Sequence, residues 1–252
     1  MTSRLPDDLD AFFHVNTDEG SPELALRIAA LVGSEWRPRH PVLVIRSLLP
    51  RTLVDCNRVV DHPVSDGMTP GLPPYVTAAA DRALLLELHR RYSGVAEAAY
   101  AAVCGSGGLA IALHTYSPRS VEVEVDARVV DALRRAYAPG IYERWPLRPP
   151  VDLLTAGGDG VDLAPEGLAE AISAELDGVG IEARRNATYC LHPATQGFRH
   201  AARWPGRTLG IEVRRDLLGA PFRPFEESAI GPENVERLAV PLAKAIARTL
   251  AR

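Results

Sequence analysis

The chain has 252 residues, 46% of them hydrophobic and 24% charged, with a formal net charge of −4. This is the balance of an ordinary soluble globular protein, long enough to bury a sizeable core in one large α/β domain spanning 1–252. No basic run favours nucleic acid, and no apolar run is long enough to span a bilayer.

The opening "MTSRLPDDLD" has no apolar signal core. "AFFHV" (11–15) reads as a short buried strand leading into the polar stretch "NTDEGS". "SPELALRIAALVG" (21–33) has Ser21 as cap, Pro22 at the first helical position and Gly33 as stop, so it predicts a helix. "PVLVIRS" (41–47) is rich in β-branched residues and predicts a strand, and 61–75, rich in Pro and Gly, predicts loop. A long amphipathic helix follows over 76–105, with a break expected near Ser93-Gly94. "GGLAIALHTYSP" climbs through small and apolar residues to His114 and predicts a strand ending on an imidazole.

"SVEVEV" alternates like a strand, and "ARVVDALRRAYA" has helical spacing. "VDLLTA" (151–156) predicts a strand, followed by a Gly turn and a helix over 164–180. Strands are expected at 181–186 and 207–215, and the chain closes on a helix interrupted at Pro241. Strands alternating with helices imply a mixed, mostly parallel sheet with helices on both faces. Ligands of such sheets gather at the carboxyl ends of the strands. Three widely spaced cysteines, Cys56, Cys104 and Cys190, form no metal or disulfide pattern and fit a reducing cytoplasm. Abundant Ala, Arg, Pro and Leu with little Lys is the composition of a GC-rich bacterial genome.

Four constellations carry chemistry. His14 and Glu19, with Asp18 beside it, can fold toward one ion, because zinc accepts imidazole nitrogen and carboxylate oxygen. The same residues also read as a strand-end histidine and an acidic loop before a helix. His114 is either a core histidine or the third member of a His₂Glu set with a position left for water. In "RTLVDCNR", Asn57 and Arg58 can grip a substrate carboxylate, or Arg58 can pair with Asp55 or Asp61 on the surface. Glu212, inside the apolar "LGIEV", is costly to bury unless it works as a general base; otherwise it faces outward and pairs with Arg214.

In this order the segments resemble the N-formylglutamate amidohydrolase family, a branch of the zinc carboxypeptidase-like hydrolases. "RTLVDCNR" resembles its R-x-x-x-D-x-N-R segment, and "LAIALHTYSP" its D-L-H-S strand end. The central segment from "VDLLTAGGDG" onward resembles the part that leads to N-x-P-Y, read here as Asn186-Ala187-Thr188-Tyr189 without the proline. "LGIEVRRDLL" resembles the I-E-[IL]-R strand, and "HVNTDEGSPELALRIA" the opening of the related poly-γ-glutamate hydrolases. The likeness runs over about residues 11 to 218.

The resemblance implies zinc held by His14, Glu19 and His114, with Asp18 as the other choice of acidic ligand. It implies Glu212 as general base, Arg51 beside the oxyanion, Asn57 and Arg58 on a substrate carboxylate, and Tyr189 over the site. His192 is a further candidate for substrate contact. The implied substrate is a small N-formyl or N-acyl amino acid with a free carboxylate. Two other readings stand beside it: a carboxypeptidase-like or biosynthetic deacylase acting on a different amide, ester or peptide, and a binding protein that keeps the fold without the chemistry.

Overall fold

A computed structural model describes residues 1–60 and 68–251, so the 61–67 part of the predicted loop lies outside the described residues. Four strands form one sheet: β1 (Ala110–Tyr116), β2 (Val151–Leu154), β3 (Ala183–Arg185) and β4 (Thr208–Arg214). Their order is β1-β4-β2-β3. β1 pairs parallel with β4 and β2 parallel with β3, while β2 runs antiparallel to β4. The sheet is thus mixed and mostly parallel, as expected for the α/β class.

Side chains alternate across a strand. Leu209, Ile211 and Val213 of β4 therefore share one face with Val151 and Leu153 of β2, and all five are buried. Helices α2 (Ser21–Ala30), α5 (Leu168–Asp177) and α7 (Pro232–Leu250) close over this face with Leu24, Ile172, Leu176, Leu238 and Leu242. Helix α3 (Ala79–Cys104) packs on β1, and α6 (Gln196–Arg203) on β4, outside that cluster. A second cluster gathers Phe12, Val54, Tyr75, Val76, Leu85 and Leu133, joining α1 (Leu9–Asn16) to α4 (Val129–Ala136) and the start of α3.

Several expectations are corrected. The predicted strand at 11–15 is helix α1, which begins at Leu9 and buries Ala11 and Phe12. Five apolar residues do not distinguish a strand from a buried helical turn, and here the packing against α4 decides. The predicted strand at 41–47 has no strand partner among the described residues, and Val42, Leu43 and Val44 are exposed; β-branched residues form a strand only where a ladder exists to receive them. "SVEVEV" also joins no ladder, although Val121, Val123 and Val125 do turn one apolar side to the second cluster.

Helix α3 runs unbroken through Ser93-Gly94, and α7 continues through Pro241, whose ring is buried in the core. The helix at 21–33 stops at Ala30 and gives way to a π-helical turn over Leu31–Glu35. Helix α6 was not foreseen, although its cap is readable: Thr195 Oγ1 accepts from the Phe198 amide at 3.2 Å.

Candidate active site

The register of β4 places Glu212 opposite His114 of β1 on one side and Asp152 of β2 on the other. These three side chains leave the sheet on the face opposite Ile211 and Val213, near the carboxyl ends of β1 and β4. Glu212 accepts no hydrogen bond from any described residue. Burial raises its pKa above the ordinary carboxylate value, against the pull of His114, Arg51 and Arg148. The alternative partner, Arg214, is occupied by Asp216 at 2.8 and 2.9 Å.

The turn between α1 and α2 brings the other acids to this row. Gly20 has φ +81°, a conformation natural to glycine, and a side chain there would meet Leu218 Cδ1 at 2.7 Å. Thr115 Oγ1 donates to the Glu19 carbonyl at 2.9 Å, and Ser21 Oγ to the Leu113 carbonyl at 3.0 Å, which fastens the turn to β1. Arg215, just past β4, donates to the His14 and Val15 carbonyls at 2.9 and 2.8 Å. It therefore satisfies the free carbonyls at the end of α1 and ties His14 to the strand that carries Glu212.

The donors stand as two couples. His14 Nδ1 lies 3.3 Å from Glu19 Oε1, and His114 Nδ1 lies 2.8 Å from Asp18 Oδ2. Glu19 also accepts from the amide and hydroxyl of Ser228 at 3.2 and 2.5 Å. Burial of His114 works against its charged form. The hydrogen bond and charge of Asp18, with the charge of Glu212, outweigh it and push the ring up to about 9.

Imidazole nitrogen and carboxylate oxygen are donors of the kind zinc takes. Two ligands at about 2.0–2.1 Å from one ion stand roughly as far apart as His14 and Glu19 do. Even so, among the described residues no group of three or more His, Cys, Asp and Glu side chains is gathered as a metal site. The donors fit in kind, and as a couple, but do not close into a three-ligand shell.

Arginines flank this row. Arg51 bridges Asp55 Oδ2 at 2.9 Å and Asp18 Oδ1 at 3.4 Å. Arg58 spends Nε and Nη2 on Thr69, each at 3.1 Å, and lies 3.6 Å from Asp55. Its pairing with Asp55 is buried and not on the surface. Asp55, only 4% exposed, is held below its ordinary acidity range: burial opposes this, but Arg51, Arg58 and the Asn57 amide prevail. Asn57 Oδ1 accepts from the Gly197 amide at 3.3 Å, which fixes the side-chain orientation and leaves its NH₂ without a described partner.

Three further residues, to which the sequence assigned no role, stand at the site. Asp152, fully buried, accepts from the Ala187 and Thr188 amides at 3.0 and 2.6 Å and holds the segment leading to Tyr189. Asn186, in the left-handed region at φ 48°, accepts from the Thr155 and Ala156 amides at the same junction. Arg148 donates to the Tyr189 hydroxyl at 2.5 Å. Asp152 left a signal as a carboxylate inside the apolar "VDLL", and Asn186 as the first residue of the segment compared with N-x-P-Y; Arg148, like Arg215, looks like any other arginine in the sequence. His192, the remaining candidate, lies in the turn before α6, where its Nδ1 accepts from the Ala194 amide at 3.1 Å.

No family model and no curated protein matches the chain. Solved structures do resemble it, among them two that follow. One is an N-formylglutamate amidohydrolase from Ralstonia eutropha JMP134, with 19% sequence identity, a TM-score of 0.48, and coverage of 79% of this chain and 72% of the other. The second is the gene product Atu2144 from Agrobacterium tumefaciens, with 18% identity, a TM-score of 0.47, and coverage of 94% and 79%.

The structure thus brings His14, Asp18, Glu19 and His114 to one end of the sheet, beside Glu212 and Arg51. Tyr189 lies within Coulombic reach of Glu212, Arg51 and Arg58. No helix among the described residues is long and apolar enough to cross a membrane.

Proposed function

We propose that the protein is a zinc-dependent hydrolase that cleaves the amide bond of an N-formyl or N-acyl amino acid. The observation that carries this reading is Glu212: a partly buried carboxylate without a hydrogen-bond partner among the described residues, set by strand register beside His114 and close to Asp18 and Arg51. Burying a carboxylate unpaired is costly, so an unpaired one beside a histidine and arginines is explained by chemistry more readily than by stability. Zinc, held by His14, Glu19 and His114 with Asp18 as the other acidic choice, would supply Lewis acidity and lower the pKa of water.

The chain's own groups do the rest. Glu212 takes a proton from the attacking water and delivers it to the leaving nitrogen; its raised pKa suits both transfers. Arg51 supplies positive charge to the developing oxyanion while Asp18 and Asp55 hold its guanidinium in place. The free NH₂ of Asn57 binds a substrate carboxylate, and Arg58 adds charge from behind. The buried, unpaired thiols of Cys56 and Cys104 suit a reducing compartment such as the cytoplasm.

The test is hydrolysis of a panel of N-formyl, N-acetyl and longer N-acyl amino acids and dipeptides by zinc-reconstituted protein. Release of the free amino acid from an N-formyl or N-acyl substrate, lost on Glu212→Gln, is the expected result. Zinc-loaded protein that cleaves none of them would overturn the reading.

A further inference from the structure

Arg148 is buried, yet no step of the proposed reaction uses it. Its guanidinium stands over two aromatic rings, 4.9 Å from the centre of Tyr116 and 5.3 Å from that of Tyr189. Nε donates to Ser120 Oγ at 3.0 Å, and Nη1 to the carbonyl and hydroxyl of Ser117 at 3.3 and 3.4 Å. These bonds lock the plane of the fork. The remaining nitrogen, Nη2, donates to the Tyr189 hydroxyl at 2.5 Å.

A phenol has one proton to donate and lone pairs to accept with. Arg148 occupies the accepting side of Tyr189, and a cation there turns the hydroxyl proton away from itself. Tyr189 donates that proton to no described residue. The residue is 41% exposed, at the end of the segment that Asp152 fastens beside Glu212. Burial raises the phenol above its ordinary range, so the proton stays on.

We propose that Arg148 is a positioning residue for Tyr189, fixing its hydroxyl as a hydrogen-bond donor to an oxygen of a ligand bound beside Glu212. With the free NH₂ of Asn57, the site then presents neutral donors from two elements. That pair fits the carboxylate of an amino-acid portion of the substrate. The inference rests on the hydrolase reading for where the ligand sits, but its test does not need turnover.

The test is a double-mutant cycle of Arg148→Met and Tyr189→Phe, with Arg148→Lys as the conservative variant. Two quantities are read: binding of free amino acids and N-acyl amino acids by calorimetry, and kcat and KM wherever the wild type turns a substrate over. A hydrogen bond to a charged group is worth about 1.5–3 kcal/mol, so Tyr189→Phe, which keeps the ring, weakens binding about 10- to 100-fold. Arg148→Met brings a similar loss, the double variant loses no more than the worse single one, and Arg148→Lys recovers part of it.

Additive losses would overturn the proposal, because a merely structural Arg148 would act whether or not the hydroxyl is present. So would unchanged binding in Tyr189→Phe, or a wild type that binds no carboxylate of the panel. Binding that shows the coupling in a protein without hydrolysis would leave this inference standing and remove the hydrolase reading. Hydrolysis with additive losses would do the reverse.

Discussion

His114 and Glu212 are Cα partners on adjacent parallel strands, so imidazole and carboxylate leave the sheet side by side on one face. Among the described residues Glu212 forms no hydrogen bond that a glutamine would forfeit. Glu212→Gln is therefore expected to lower kcat/KM by about 100- to 10,000-fold. Its thermal midpoint should stay at or above that of the wild type, since a buried charge is removed. A variant that keeps activity, measured beside a melting curve, would remove Glu212 as the base.

Metal binding checks the two couples. Protein stripped with a chelator and titrated with zinc by calorimetry should show one site per chain. Loss of an outer partner already costs about 10- to 100-fold in metal affinity, so His14→Ala and His114→Ala are each expected to cost more. Glu19→Gln and Asp18→Asn, compared in the same titration, identify the acidic ligand by which of them loses more.

Asp55 links the arginines to acid stability. Its folded pKa lies below the ordinary 3.8 because Arg51 and Arg58 outweigh burial. A depressed carboxylate contributes stability above its unfolded value and loses it as pH falls through the folded one. Asp55→Asn should therefore be less stable than the wild type at neutral pH, by about 3–5 kcal/mol for a broken buried pair. The gap should narrow below about pH 4. Denaturant unfolding at pH 7 and at pH 3 reads this difference, and a gap that does not change with pH would count against it.

Gly20 holds the turn that delivers Asp18 and Glu19. Alanine in its left-handed conformation costs about 1–2 kcal/mol, and its Cβ would press on Leu218 Cδ1 at 2.7 Å. Gly20→Ala should lower stability by at least that amount and weaken zinc binding together with it. Unchanged zinc affinity in a folded Gly20→Ala protein would show that the turn does not position the acids.

The candidate residues were readable where chemistry stood out from its surroundings. His114 ends an apolar strand and Glu212 interrupts one, and both occupy the strands expected for them. His14 was singled out although its element was wrong: it leaves the last turn of a helix, and only packing on α4 and the second cluster distinguishes that helix from a strand. Arg58 was read either as a fork for a substrate carboxylate or as a surface partner of Asp55 or Asp61; Thr69 and Asp55 occupy most of it, and the Asp55 pairing is buried. A sequence lists donors without saying which acceptors the fold will place against them.

Local pattern was enough for the α/β class, the four strands of the sheet and the long helices, because periodicity is written in short stretches of chain. Register and long-range contact decided the rest. Only the pairing of β4 with both β1 and β2 puts His114, Glu212 and Asp152 in one row. Only contacts across 41 and about 200 residues of chain give Arg148 its hold on Tyr189 and Arg215 its hold on α1. Such couplings depend on where the backbone brings distant side chains together, and no spacing along the chain encodes that.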